Sequence, residues 1–151
     1  MPGRSQPARV CPRRGGACPR LCPATRRRWL VLTVGESATV RRTVHGTEVI
    51  GVDVDECTRC GHYRGPLDII ALRFRCCDRW YPCIDCHREL AGHPAEVWSL
   101  AERGEHAVLC GACGHRLTVR EYLNCDSVCP SCAASFNPGC ALHYHLYFEM
   151  D

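Results

Sequence analysis

Two Cys-x-x-Cys pairs, Cys110-Gly111-Ala112-Cys113 and Cys129-Pro130-Ser131-Cys132, stand fifteen residues apart and constrain this chain more than any other feature. Two intervening residues suit a tight turn that presents both thiolates to one ion. Two such turns close a tetrahedron of sulfurs at about 2.3 Å from a zinc, the spacing of a zinc ribbon. Gly111 and Gly114 suit the turn because they tolerate backbone conformations that other residues resist. A thioredoxin-like role for Cys129-Pro130-Ser131-Cys132 lacks the βαβ surroundings that such a redox motif needs.

Cysteine accounts for 15 of the 151 residues, enough for cysteine chemistry to decide the fold. Close pairs interleaved with histidines favour metal sites over a secreted disulfide framework. The N-terminus carries charge but no apolar h-region and no small-residue cleavage site, and the apolar run at 29–34 is too short to span a bilayer. The expectation is a soluble protein of a reducing compartment, the cytoplasm, with the Arg-rich N-terminus leaving organellar import open.

A denser constellation lies upstream: Cys60, His62, Cys76, Cys77, Cys83, Cys86, His87 and His93, eight candidate ligands within 34 residues. Eight is the count for two closed tetrahedral sites. Cys57-Thr58-Arg59-Cys60 offers a competing Cys-x-x-Cys in which Cys57 replaces His62. Cys125, Cys140, His143 and His145 remain over. They are expected to pack or hydrogen-bond near the third zinc, a fourth metal site being the alternative. His45, His106 and His115 lack a clustered partner and are read as structural.

Residues 1–43 contain five prolines and no apolar period, and are read as a disordered Arg/Pro-rich tail or the product of a start placed too early. The tail's Cys11, Cys18 and Cys22 lack a fourth ligand beside them. The folded domain is assigned to 44–151. Within it, 49–54 reads as a strand and 70–75 as a half-buried strand, with Ile70, Leu72 and Phe74 alternating against Ala71, Arg73 and Arg75. A short helix is expected over 84–91. Thr118 and Glu121 form a capping-box pattern opening one or two helical turns. Tyr144, Leu146 and Phe148 alternate over 143–148. Cys76 and Cys77 can share an ion only if the strand before them ends or bends, because strand neighbours point to opposite faces. Asp78 makes that turn plausible. The fold class is a small, zinc-stabilised, irregular α+β domain of short strands and helices, closed by a zinc-ribbon-like site, and such a domain needs staples.

The run Cys60-Gly61-His62-Tyr63, Cys76-Cys77, Cys83-Ile84-Asp85-Cys86-His87, His93 and the two Cys-x-x-Cys pairs resembles the CHY-type zinc finger over about residues 45–149. That resemblance implies a pairing that physics alone does not choose. Cys60, His62, Cys83 and Cys86 would hold one zinc, Cys76, Cys77, His87 and His93 a second, and Cys110, Cys113, Cys129 and Cys132 a third. Larger members of the family are ubiquitin ligases with an added RING. No RING is expected to follow, so that activity is not carried over.

Charge narrows the function further. Residues 1–28 carry eight Arg and no acid, while 29–151 carry eleven Arg against sixteen acids. Three zincs held as the resemblance implies add a formal −3 to the −5 of the larger segment. Phosphate neutralisation needs clustered cations, so specific nucleic-acid binding is not expected. Four protein ligands leave a zinc no position for catalytic water, and no nucleophile stands beside a base, so no enzyme and no small-molecule substrate are expected. The reading is a three-zinc interaction module with an unidentified protein partner and no membrane association. The alternative is a thiol-redox or zinc-handling assembly factor that uses Cys57, Cys125 and Cys140.

Overall fold

The computed structural model describes residues 39–151. Most of the expected tail, with Cys11, Cys18 and Cys22, lies outside the described residues. Inside them, strand β1 (Thr39–Val44) begins ahead of the expected boundary at 44, which instead falls at the tip of a hairpin. β1 pairs antiparallel with β2 (Thr47–Val52) through a two-residue turn in which His45 and Gly46 both have positive φ, 46° and 78°. Such a turn matches the right-handed twist of the strands it joins.

β3 (Ile70–Arg73), β4 (Trp80–Tyr81), β5 (His106–Cys110) and β6 (Arg116–Thr118) complete one six-stranded sheet in the order β1-β2-β4-β3-β5-β6. All pairs are antiparallel except β2 with β4, which run parallel at Val49 and Trp80. The expected strand at 70–75 ends at Arg73. Asp78 N–H bonds back to the Phe74 carbonyl at 2.8 Å and Asp78 adopts φ 58°, so Cys76 and Cys77 sit in a turn. The bend that their shared geometry demanded is therefore present, and Phe74 N–H to Arg79 O (2.9 Å) closes it as the β3–β4 hairpin.

Both faces of the sheet are covered. Ile50, Val52, Ile70, Leu72, Tyr81, Val108 and Leu117 point to the larger core, beneath the helices, with Trp98, Tyr122, Phe136 and Phe148. Val44, Val49, Ala71, Trp80 and Leu109 form a smaller cluster on the other face. Ala71 is fully buried, so β3 is covered on both sides rather than half-buried as its alternation suggested. It lies inside the sheet between β4 and β5, a position its own residues do not reveal.

Helix α1 (Ile84–Leu90) follows β4 directly and uses Cys83 as its N-cap, the sulfur accepting from Cys86 N–H. The Tyr147 hydroxyl accepts from Ile84 N–H at 2.9 Å, satisfying another amide of the first turn. Helix α2 (Val119–Leu123) opens with the expected capping box of Thr118 and Glu121. A 3-10 turn spans Leu100–Glu102, and a longer 3-10 segment spans Pro138–Leu146. The second replaces the strand expected over 143–148. Asn137 caps it and Pro138 starts it, and Phe148 N–H returns to the Tyr144 carbonyl at 2.8 Å. The aromatic spacing that read as alternation is a helical i, i+4 relation. Phe148 alone keeps a β-bridge, to Trp98. No described helix is long and apolar enough to cross a membrane.

Candidate metal centres

Three groups of four donors assemble on this frame, and they are the sets that the sequence resemblance implied. In each, all four ligand atoms lie within 4.8 Å of one another. The first joins Cys60 and His62, from the loop after β2, to Cys83 and Cys86 at the start of α1. The second joins Cys76 and Cys77 of the β3–β4 turn to His87 of α1 and His93 beyond it. The third joins Cys110 at the end of β5 and Cys113 to Cys129 and Cys132. α1 thus serves two centres through consecutive residues, Cys86 and His87, which a helix points about 100° apart.

The spacings fit zinc. Sulfurs at about 2.3 Å from a tetrahedral ion are about 3.8 Å apart, and a sulfur and a nitrogen about 3.6 Å. Cys60 and Cys83 are separated by 3.7 Å, Cys110 and Cys132 by 3.9 Å, and Cys113 and Cys129 by 3.8 Å. His62 Nδ1 stands 3.4 Å from the Cys86 sulfur, 3.6 Å from Cys83 and 3.9 Å from Cys60. His87 Nε2 lies 3.2 Å from Cys76 and 3.8 Å from Cys77. Soft thiolates with imidazole in tetrahedral arrangement select zinc over magnesium or calcium.

Backbone turns aim the sulfurs. In the third centre Gly114 N–H bonds the Cys110 carbonyl and Ala133 N–H the Cys129 carbonyl, at 2.8 and 2.9 Å, so the two knuckles repeat one design. Gly114 and Ala133 both take positive φ, 80° and 61°. Gly111 serves differently from what its place in the turn suggested. A Cβ there would lie 2.2 Å from the Cys57 carbonyl oxygen, so close packing against the 57–58 backbone requires glycine. In the first centre, Tyr63 N–H points at the Cys60 sulfur (3.4 Å) and Val52 N–H at that of Cys86 (3.5 Å). Such donors stabilise thiolate over thiol.

Outer partners fix the imidazoles. His62 uses Nδ1 toward the sulfurs and bonds Glu89 Oε1 through Nε2 at 2.8 Å. His93 bonds the Ala91 carbonyl through Nδ1 at 2.8 Å, which leaves Nε2 for the metal. His87 is fully buried, stacked on Phe74 with ring centroids 4.2 Å apart and edge-on to Tyr81. Burial, with His93 beside it, holds the His87 imidazole below its ordinary pKa and favours the neutral ligating form. Glu89 is the partner of a candidate ligand that sequence reasoning missed, since a lone glutamate on a polar helix face carries no motif.

The remaining candidates form no fourth cluster among the described residues. Cys57 is buried and lies outside the first group, in which His62 takes the fourth place. The Cys125 thiol donates to the Tyr122 carbonyl at 3.1 Å, and Cys140 hydrogen-bonds the Tyr122 side chain. His143 and His145 are exposed on the Pro138–Leu146 segment, and His45 bonds the Gly111 carbonyl. Beside the first centre, Tyr63, Ile84, Cys140, Leu142, Tyr144 and Tyr147 help to line a cleft of about 400 Å³.

Comparison with known proteins matches the CHY zinc finger family model to residues 60–139. The match begins at Cys60, excluding Cys57. Helper of Tim protein 13 of Saccharomyces cerevisiae is 47% identical over 106 residues, 68% of this chain and 91% of that protein. Helper of Tim protein 13 of Kluyveromyces lactis is 44% identical over 105 residues, 69% and 90% of the two chains. No solved structure matches.

Proposed function

We propose that this chain, which belongs to the CHY zinc finger family, is a three-zinc module that acts by docking on another protein and not by catalysis. One observation carries the reading: every donor group is complete, with four protein atoms around a single point. A catalytic zinc keeps a position for water, whereas four protein ligands make a structural site. The twelve ligands are Cys60, His62, Cys83 and Cys86 for the first zinc, Cys76, Cys77, His87 and His93 for the second, and Cys110, Cys113, Cys129 and Cys132 for the third.

Docking rests on the cleft beside the first centre. Its walls are mainly apolar and aromatic, and its rim carries Tyr63 and Leu142, the latter 76% exposed. The relatives are named for helping a Tim protein, so the partner class to test first is a Tim protein. A redox use of the Cys125 and Cys140 thiols has less support. Burial, with Asp68 nearby, pushes the Cys140 thiol above its ordinary pKa, which lowers its thiolate fraction at neutral pH.

Calorimetric titration of the zinc-loaded chain with a purified Tim protein tests the reading. Binding is expected, weakened about tenfold or more by Leu142→Glu, which puts a charge on an exposed apolar contact of the cleft and leaves the core untouched. Absence of binding by the loaded protein, or equal binding by the variant, would overturn the docking surface.

A further inference from the structure

The three centres are not equally protected. In the first, Cys60, Cys83 and Cys86 are buried, and in the third, Cys110 and Cys129. In the second only His87 is buried; Cys76 and Cys77 are half-buried and His93 is exposed. An incoming ligand therefore reaches His93 directly and the half-buried Cys76 and Cys77 in part, leaving one fully protected donor.

The outer shells differ in the same direction. The first centre's sulfurs receive N–H donors from Val52, Tyr63 and Cys86, and its histidine is held by Glu89. The third receives backbone donors from Ala112, Cys113, His115 and Ala134. Among the described residues, the second centre's sulfurs receive one backbone donor, Arg79 N–H to Cys77. His87 Nδ1 is buried with no hydrogen-bond partner, in a ring stacked on Phe74 and edge-on to Tyr81. A ligating histidine whose second nitrogen lacks a partner is a weaker donor, and loss of such a contact lowers metal affinity by about 10–100-fold. Two imidazoles in place of thiolates also leave this zinc with the fewest negative ligands of the three.

We infer that the Cys76, Cys77, His87, His93 centre is the exchangeable zinc site of this protein. The other two hold the fold while this one passes its ion to competing thiolate or imidazole ligands. The exchange begins at the exposed side. His93, the exposed donor, would be replaced first by the incoming thiolate or imidazole and would leave as the neutral imidazole, a ligand exchange with no electron transferred. Cys76 and Cys77 follow, with His87 last because it is packed among rings. This inference rests on all three groups holding zinc.

Graded EDTA treatment of the zinc-loaded full chain, with N-ethylmaleimide trapping, counts ions by native mass spectrometry and identifies uncovered thiols by peptide mapping. The expected result is loss of one zinc, that of the second centre, at an EDTA concentration at least tenfold below the other two. Alkylation of Cys76 and Cys77 should accompany that loss, with Cys60, Cys83, Cys86, Cys110, Cys113, Cys129 and Cys132 still protected. Release of all three ions in one step, or first alkylation at another centre, would overturn it. A preparation holding two ions at the outset contradicts the three-zinc reading. It contradicts this inference as well only if Cys76 and Cys77 are among the protected thiols. His93→Ala provides the second check: it should retain two tightly held zincs and the holo circular dichroism spectrum, whereas loss of all three ions would contradict separate roles for the centres.

Discussion

Cys86 and His87 are consecutive, yet each turns to a different metal. That divergence shows why the donors were countable from sequence while their grouping was not. The Cys-x-x-Cys pairs fix the third centre locally. The first two interleave along the chain, and only the path of α1 past the β3–β4 turn separates them. Resemblance to a family supplied that partition in advance. Glu89 was invisible because its role depends on a contact with His62 across 27 residues. Glu89→Gln should weaken zinc binding at the first centre by about tenfold without unfolding the domain. Chelator competition measures this, and an unchanged affinity would leave Glu89 a surface residue. Cys129→Ser should have a larger effect, removing the third zinc and with it most of the ordered structure, visible as two or fewer ions in native mass spectrometry and a collapsed circular dichroism spectrum.

At the level of elements, local chemistry was read more accurately than pairing. The Thr118–Glu121 capping box and the helix over 84–90 follow from their own residues, and both are present. β5 and β6 went unseen because three to five residues carry too little period, and their stability comes from neighbours in the sheet. Thr118→Ala should lower the stability of the zinc-loaded protein by about 1 kcal/mol, measured by denaturant titration at fixed zinc. Gly111→Ala should be far more severe, since the added Cβ meets backbone at 2.2 Å and neither segment can yield without moving Cys110. Glu102 caps the short Leu100–Glu102 turn. Ser99's backbone N–H and hydroxyl, with Arg75, hold its carboxyl down to about 2. A depressed carboxylate stabilises above its ordinary pKa and loses that contribution as pH falls toward the folded value. The effect of Glu102→Gln should thus fade only in strong acid.

For the whole molecule, metal dominates. A structural zinc contributes on the order of 10–16 kcal/mol in small peptides at neutral pH, against a typical net stability of about 5–15 kcal/mol. The core is nonetheless more continuous than the short elements suggested, with Cys60, Cys83, Cys86, Cys110 and Cys129 buried among its apolar side chains. Metal and core are one structure at the first and third centres, so loss of their ions should unfold the sheet. Ligation requires deprotonated thiols and neutral histidines, and acid should release zinc as pH falls below about 6, well before Glu102 titrates. Acid unfolding should therefore track release of the ions at the first and third centres, as simultaneous circular dichroism and a zinc indicator would record. The most direct measurement is the metal content of the full chain by native mass spectrometry: three zinc ions are expected, and two or fewer, or a fourth, would overturn the three-centre fold.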